Sequence, residues 1–97
     1  MNVTEKAVVV ERAVRLVKMP EFDATVERQG VGRAEVCEAI GYLSQWAFHK
    51  DETRIVKVNV GLMDDGGMHA LYRDAEDRIV YEIGAVLREG GRYSFHS

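Results

Sequence analysis

The sequence contains one cysteine, one proline and one tryptophan in 97 residues. A lone Cys37 cannot form an internal disulfide, which excludes a disulfide-stabilised secreted domain and predicts a reducing compartment. We expect Cys37 to be a small buried apolar side chain, because no neighbouring motif would activate its thiol. No apolar run approaches the roughly 18 residues of a membrane span, and the first residues alternate charge with valine. We therefore expect a cytoplasmic protein that has no membrane partner.

Excess charge of either sign is also missing. The 13 lysines and arginines and the 16 aspartates and glutamates leave a formal net charge of −3, which argues against a nonspecific grip on nucleic acid. The sequence has no G-x-S-x-G, P-loop, dinucleotide-binding or cysteine–histidine nucleophile motif. We therefore predict a protein that is not an enzyme and that uses no catalytic residue and no cofactor.

The sequence does contain a hydrophobic fraction of 46% and a charged fraction of 30%, which are ordinary for a soluble globular protein. Its length suffices for one hydrophobic core but not for two. No repeat, low-complexity tract or linker divides it. We predict a single domain over residues 1–97, with a helical part over about 4–49 and an antiparallel sheet over about 54–97.

The second half of the chain alternates apolar and polar residues in four short runs, RIVKVNVGLM, GMHALYRD, RIVYEIGAVLR and RYSFHS. The turns between them contain the residues that hairpins require. A three-residue turn over 64–66, with Gly66 in the left-handed conformation, keeps apolar side chains opposite one another. The predicted pairs are Leu62 with Met68, Val60 with Ala70, and Val58 with Tyr72.

The two later turns favour the same core face. A three-residue turn over 89–91, with Gly91 left-handed, pairs Leu87 with Tyr93 and Ala85 with Phe95. A four-residue loop over 74–77 pairs Ile79, Tyr81 and Ile83 with Tyr72, Ala70 and Met68, respectively. Agreement among three independent turns is the strongest structural signal in the sequence.

Two long helices are predicted before the sheet. Residues 4–19 have a helical apolar stripe, with Thr4 as the N-cap and Pro20 as the stop. Residues 20–32 form either a short helix that starts at Asp23 and points Phe22 and Val26 inward, or an irregular connection; the helix is favoured.

The second long helix covers residues 33–49. Its apolar stripe consists of Val36, Ile40, Leu43 and Ala47, and its polar side of Glu35, Glu38, Tyr42, Gln45 and His49. A row of small residues, expected to pack closely against the first helix, consists of Ala34, Cys37, Gly41 and Ser44. The predicted fold is α+β, with two main helices and a short third packed on one face of a four-stranded antiparallel meander.

One stretch of the sequence combines several elements in close succession. These are a predicted short helix, a glycine turn at position 30, the apolar Val31 and the start of the second long helix, which carries Val36 and Ile40. This stretch, residues 24–41, resembles the turn and recognition helix of helix-turn-helix regulators. The resemblance implies a DNA-binding protein with a winged helix-turn-helix arrangement.

That resemblance also implies which side chains contact DNA. Arg33 and Glu38 would face the groove, and the following hairpin would act as a wing through Lys57 and Arg73. One arginine beside a glutamate is a poor base reader, and the acidic hairpin tip would repel phosphates. DNA binding is therefore the alternative rather than the first hypothesis.

A histidine–carboxylate cluster is predicted on the uncovered face of the sheet. The expected register sets His69 opposite Glu82, with His96 one diagonal step away, beside Gly84. Two imidazoles and a carboxylate can hold a metal, but an exposed His–Glu pair is common on protein surfaces. These three residues are weak candidates, and we predict that no metal is bound.

The same face carries a predicted apolar patch with a charged rim, an arrangement typical of protein interfaces. The apolar members are Met63, Leu71, Val80 and Val86, and the rim includes Arg73 and Arg88. If residues 20–32 folded over the patch, it would be core instead. We predict a regulatory, immunity-type or phage-inhibitor-like module without catalytic activity. It would bind another protein, or itself as a homodimer, through the open sheet face and the polar side of the second long helix.

Overall fold

The computed structural model describes residues 15–49 and 54–97. The elements in chain order are β1 (Arg15–Lys18), α1 (Phe22–Arg28), α2 (Arg33–His49), β2 (Lys57–Leu62), β3 (Met68–Arg73), β4 (Ile79–Arg88) and β5 (Arg92–His96). The five strands form one sheet in the order β1-β2-β3-β4-β5. The fold is α+β, as predicted. The sheet is mixed and five-stranded rather than a four-stranded antiparallel meander, because β1 runs parallel to β2.

The predicted first helix is wrong at its C-terminal end. Residues 15–18 form β1, and the ladder continues through Met19, whose N–H donates to the carbonyl of Leu62 at 3.0 Å. The free edge of β2 offers backbone partners that a helix there would leave unpaired, and tertiary pairing overrides a helical pattern in a short valine-rich segment. The rest of that prediction, from Thr4 through Val14, lies outside the described residues.

The predictions for the two helices that follow the first are confirmed. α1 occupies the ambiguous stretch, with Phe22 buried and Val26 packed against the core. α2 spans residues 33–49 as expected, and Leu43 lies fully buried on its apolar stripe.

One expectation about the small residues of α2 is wrong, because Cys37 is exposed rather than buried. Among the described residues, no atom outside the helix backbone lies within 4 Å of where a Cβ on Gly41 would stand. Most of the segment expected to pack against this row, residues 4–14, lies outside the described residues.

The first and last hairpins have the predicted register. Leu62 pairs with Met68 in the first, and Ala85 pairs with Phe95 in the last. Gly66 and Gly91 have φ values of 85° and 82°, which confirms the left-handed conformation that each turn requires. Gly90 also has a positive φ, of 88°.

The middle hairpin keeps the predicted core face but is shifted by two residues. Tyr72 pairs with Tyr81, and Ala70 with Ile83. The loop is closed by the buried Asp74, whose N–H donates to the carbonyl of Arg78 at 3.0 Å. Its Oδ1 accepts the N–H groups of Glu76 and Arg78 at 2.9 and 3.0 Å.

A β-bulge follows this loop, because Arg73 pairs with Ile79 while Tyr72 pairs with Tyr81. Val80 is therefore the extra residue, and it packs against the core cluster. Its neighbour Tyr81 also contacts the core side, with its ring 4.3 Å from that of Trp46. The bulge thus turns two consecutive side chains of β4 toward one face.

The core lies between the helices and one face of the sheet. Its centre is formed by the fully buried Tyr72, Leu43, Val58 and Val60. The rings of Trp46 and Tyr72 lie 5.1 Å apart, which joins the end of α2 to the middle of the sheet. The opposite face of the sheet, here called the outer face, carries the half-buried residues that alternate with this core.

Candidate functional site

The predicted apolar patch on the outer face is present only in part. Met63 and Val86 are each 42% exposed, and Leu71 is half-buried. Val80 does not belong to it, because the bulge packs this side chain against the core. The patch is therefore smaller than predicted.

The patch is also not contiguous. Leu71 pairs with Glu82, whereas Val86 pairs with Ser94. Between these two rows runs a third, in which Gly61 pairs with His69, His69 with Gly84, and Gly84 with His96. Two glycines and two histidines thus separate the apolar residues on the outer face.

The arginines predicted at the rim are held by neighbours on the sheet. Arg73 donates from Nε to Oδ1 of Asn59 and from Nη1 to the carbonyl of Asp77, both at 2.9 Å. Arg88 donates from Nε to Oγ of Ser94 at 3.3 Å. These contacts orient both guanidinium groups along the face, although Arg88 remains exposed.

The histidine–carboxylate cluster has a different geometry from the predicted one. His69 lies directly opposite Gly84, and its Nε2 reaches Glu82 only diagonally, at 3.8 Å from Oε2. His96 lies beside Gly84 as predicted, with its Nε2 2.8 Å from Oγ of Ser94. Among the described residues, no three histidine, cysteine, aspartate or glutamate side chains are grouped so that they could hold a metal.

The helix-turn-helix segment is present as two helices joined by residues 29–32, with Gly30 at φ 69°. Arg33 and Glu38 are exposed on α2. Lys57 and Arg73, however, lie on the outer face, on the other side of the sheet from α2, and Lys57 forms an ion pair with Asp77 at 2.7 Å. The two groups of residues that the resemblance implies as DNA contacts therefore lie on opposite sides of the sheet and cannot contact one duplex together.

A concave site lies elsewhere, between α2 and β5. We call it the α2–β5 groove; its volume is about 310 Å³. Its lining residues are Glu35, Glu38, Ala39, Tyr42, Gly91, Arg92, Tyr93 and Phe95. Of the helix residues, Glu35, Glu38 and Tyr42 come from the polar side predicted to bind a partner, while Ala39 is a buried core residue. The strand residues come from the edge of the sheet.

The floor of the α2–β5 groove is aromatic and held in place. The rings of Tyr42 and Phe95 lie 4.3 Å apart and are tilted by 42°. Tyr93 donates its hydroxyl proton to the carbonyl of Gly66 at 2.9 Å, and burial raises the pKa of this phenol. This hydrogen bond ties the Tyr93 ring to the turn of the first hairpin.

The rim of the groove is charged. Glu35 and Glu38 project from α2 and Arg92 from β5, and all three are exposed. Within the described part of the chain, none of them forms an ion pair. The carboxylate of Glu35 folds back over Gly32 at the start of α2, where the helix dipole favours negative charge. Glu38, one turn further along, has no such local contact in the described residues.

One edge of the groove is a strand edge with unpaired backbone. β5 is the last strand of the sheet and pairs with β4 alone among the described strands. In the last hairpin the N–H of Gly91 donates to the carbonyl of Arg88, as Gly66 does to Met63 in the first. That geometry makes Arg88 and Arg92 a hydrogen-bonded pair, and alternation along the ladder turns the N–H and C=O groups of Tyr93 and Phe95 outward.

The sequence contains one signal for this groove, at position 42. Tyr42 is an aromatic residue on the otherwise polar side of α2, and its ring offers a large apolar surface for a contact. Its position predicts a contact, but not with which strand, because Phe95 is more than fifty residues away in the chain. Only the fold brings the two rings together.

No protein-family model, curated protein or solved structure matches this chain. Of the helices in the described ranges, neither has the length and apolar character needed to cross a membrane.

Proposed function

We propose that this chain is a small non-catalytic module that binds another protein, or a second copy of itself, through the polar side of α2 and the open face of the sheet. The observation that carries the proposal is the α2–β5 groove. It combines an aromatic floor, a charged rim and an exposed strand edge in one place. Buried aromatic anchors surrounded by polar residues are the usual energetic centre of a protein interface.

The groove is the stronger of the two surfaces. Its aromatic floor is continuous, since Tyr42 and Phe95 are in ring contact. The apolar residues of the outer face are divided by the row of His69 and Gly84. The outer face therefore serves as a secondary surface, suited to weak self-association.

The biological roles that fit this proposal act by binding alone. A regulatory subunit, an immunity-type protein and a phage-encoded inhibitor each block or recruit a target without chemistry of their own. An exposed groove on a small domain with a net charge of −3 meets that requirement.

A second candidate function is DNA binding through residues 24–41. It is favoured by the two helices joined by a glycine turn and by the exposed Arg33. It is opposed by the position of Lys57 and Arg73 on the far side of the sheet and by the carboxylate of Glu38 on the same helix. A duplex bound at α2 would lack the phosphate contacts that dominate affinity.

Site-specific photo-crosslinking in the native cell tests the proposal. Benzoylphenylalanine replaces Glu38 in the groove, Val86 on the outer face, or Glu76 in the β3–β4 turn as the control. We expect an adduct of discrete mass at Glu38, a weaker one at Val86 and none at Glu76. A mass of twice the chain identifies a second copy. Equal labelling at all three positions, or none at any, would contradict the proposed function.

A further inference from the structure

We infer that the α2–β5 groove takes an extended segment of a partner protein, which adds to β5 as a sixth strand and places a lysine or arginine side chain against the acidic rim of α2. This inference rests on the proposed function and specifies the partner. Its elements are the strand edge, the aromatic floor and the carboxylates of Glu35 and Glu38.

The backbone of β5 provides the docking template. Tyr93 and Phe95 each direct an N–H and a C=O away from β4, as the hairpin geometry requires. An extended segment alongside β5 satisfies these groups with main-chain hydrogen bonds, which do not depend on the partner's sequence.

The edge lacks the usual protection against strand addition. Natural edges are shielded by charges, prolines or bulges. β5 carries Arg92 and His96 at its ends, whereas Tyr93, Ser94 and Phe95 between them are uncharged. Neither a bulge nor a proline interrupts β5. Among the described strands, the outer edge of β5 therefore has no partner and nothing in its own sequence that blocks one.

Side-chain alternation determines which residues of the segment enter the groove. Residues opposite Tyr93 and Phe95 share the face of these side chains and point toward α2, while the residue between them points to the outer face. Two side chains separated by one residue therefore occupy the groove. One packs on the rings of Tyr42 and Phe95, and the other reaches the helix rim.

Charge selects a basic side chain at the rim. Glu35 and Glu38 stand on α2 against the single Arg92 on β5, and Glu38 has no ion-pair partner in the described residues. A lysine or arginine of the segment gains an attractive contact there, whereas an aspartate or glutamate is repelled.

The same charges disfavour a second copy as the occupant. If two copies of the chain paired their β5 strands about a two-fold axis, the α2 helices of both copies would lie side by side on the same face of the joined sheet. Each helix then presents Glu35 and Glu38 toward the other copy, so that four carboxylates meet across the interface. Like charges placed opposite one another suppress such pairing.

The test begins with a phage-displayed library of random seven-residue peptides selected on the full chain. We expect enriched peptides to carry a lysine or arginine two positions from an aromatic or aliphatic residue. Fluorescence anisotropy with one enriched peptide then measures affinity for the native chain, for Glu38→Lys and for the control Glu27→Lys. Glu27 is exposed on α1, outside the groove lining.

Glu38→Lys should weaken binding by about fivefold or more, and a peptide with its basic residue changed to glutamate should recover affinity for this variant. Glu27→Lys should have no effect. N-methylation of the peptide backbone should abolish binding at alternate positions only, because every second N–H faces β5.

Three outcomes would overturn the inference while leaving the proposed function intact. One is an enriched peptide that binds the Glu38→Lys and native chains equally. Another is uniform tolerance of N-methylation. The third is the absence of enriched peptides together with a specific crosslink at Glu38, which indicates a folded partner surface or a second copy. Absence of both peptides and crosslinks would contradict inference and function together.

Discussion

The hydroxyl of Tyr72, in the middle of the sheet, donates a hydrogen bond to the main-chain carbonyl of Leu43 on α2. Both residues are fully buried. Burial, and to a lesser extent the nearby Tyr42, raises the pKa of the Tyr72 phenol well above its usual value. This contact ties the helix that forms one wall of the groove to the central strand.

Tyr72→Phe removes that hydrogen bond and should lower the free energy of unfolding by about 1 kcal/mol at pH 7. Because the folded pKa lies above the unfolded value of about 10, the phenol contributes stability below pH 10 that is lost as the pH rises. The advantage of the native chain should therefore shrink above pH 10. Urea unfolding of both proteins at pH 7 and pH 10.5 measures this. A constant difference would show that the phenol is not protected from ionisation.

Alanine substitutions at two glycines with positive φ, Gly66 and Gly90, distinguish the cost of backbone strain from the cost of steric overlap. A Cβ on Gly66 would stand 2.6 Å from Cδ2 of Leu87 and 3.0 Å from Cγ2 of Thr25, whereas one on Gly90 would meet nothing within 4 Å. Gly90→Ala should cost about 1–2 kcal/mol from the left-handed conformation alone. Gly66→Ala should cost at least about 1 kcal/mol more, because the side chains around it must move.

Denaturant unfolding with unchanged m-values measures the two glycine variants on one scale. Equal losses for both would mean that Leu87 and Thr25 yield without cost, and that the first hairpin is packed more loosely than the structure shows.

The carboxylate of Asp74, which closes the middle hairpin, should make the stability of the protein depend on pH in the acid range. Its pKa is lowered, first by the N–H of Arg78 and then by the N–H of Glu76 and the Arg78 guanidinium. A lowered folded pKa gives stability that is present above the unfolded value of about 3.9 and is lost as the pH falls through the folded pKa. Asp74→Asn should therefore be less stable at neutral pH, and its stability should approach that of the native chain toward pH 2. Denaturant titrations between pH 2 and pH 7 test this; parallel curves would contradict it.

Self-association through the outer face should be weak. With Val80 packed against the core, burying roughly 200 Å² of the remaining apolar surface would contribute about 5 kcal/mol before association costs, which are of similar size or larger. Leu71→Glu places a charge in the patch and should abolish any dimer seen at high concentration. Sedimentation at matched concentrations compares the two proteins. A dimer that persists in Leu71→Glu would assign self-association to the edge of β5 instead.

The DNA-binding alternative predicts a steep loss of affinity with salt and weaker binding in Arg33→Ala. From the position of Lys57 and Arg73 behind the sheet, we expect no band shift with any duplex at low salt. The control is Arg88→Ala, which removes a cation from the outer face. Salt-sensitive binding that Arg33→Ala reduces and Arg88→Ala preserves would establish the alternative.

The hairpin registers could be predicted because local chemistry determines them. Gly66 and Gly91 each mark a left-handed turn position, and strict alternation allows only one face to be buried. The register of the middle hairpin was not predicted, because Asp74 closes its loop with side-chain hydrogen bonds and a bulge at Val80 accommodates the two-residue shift in pairing. A two-residue slip preserves alternation, so parity alone could not detect it.

β1 and the groove could not be predicted from local pattern because each depends on contacts between distant parts of the chain. A stretch containing Leu16 and Val17 satisfies a helical stripe as well as a strand, and only the free edge of β2 decides between them. The polar side of α2 was correctly predicted as a surface. That it faces the rings of Tyr93 and Phe95 follows from the position of β5 at the sheet edge.

The parallel pairing of β1 with β2 has a consequence for the order of assembly. Its register joins Arg15 to Asn59, with both helices in between, whereas each antiparallel pair is closed by a tight turn. Closing a long loop costs more entropy than closing a short one, and non-local contacts form late. β1 leaves the ribosome before the rest of the sheet, yet its docking edge on β2 is made some forty residues later. We therefore expect β1, the first strand in the described part of the chain, to join the sheet only after β2 has formed its hairpin with β3.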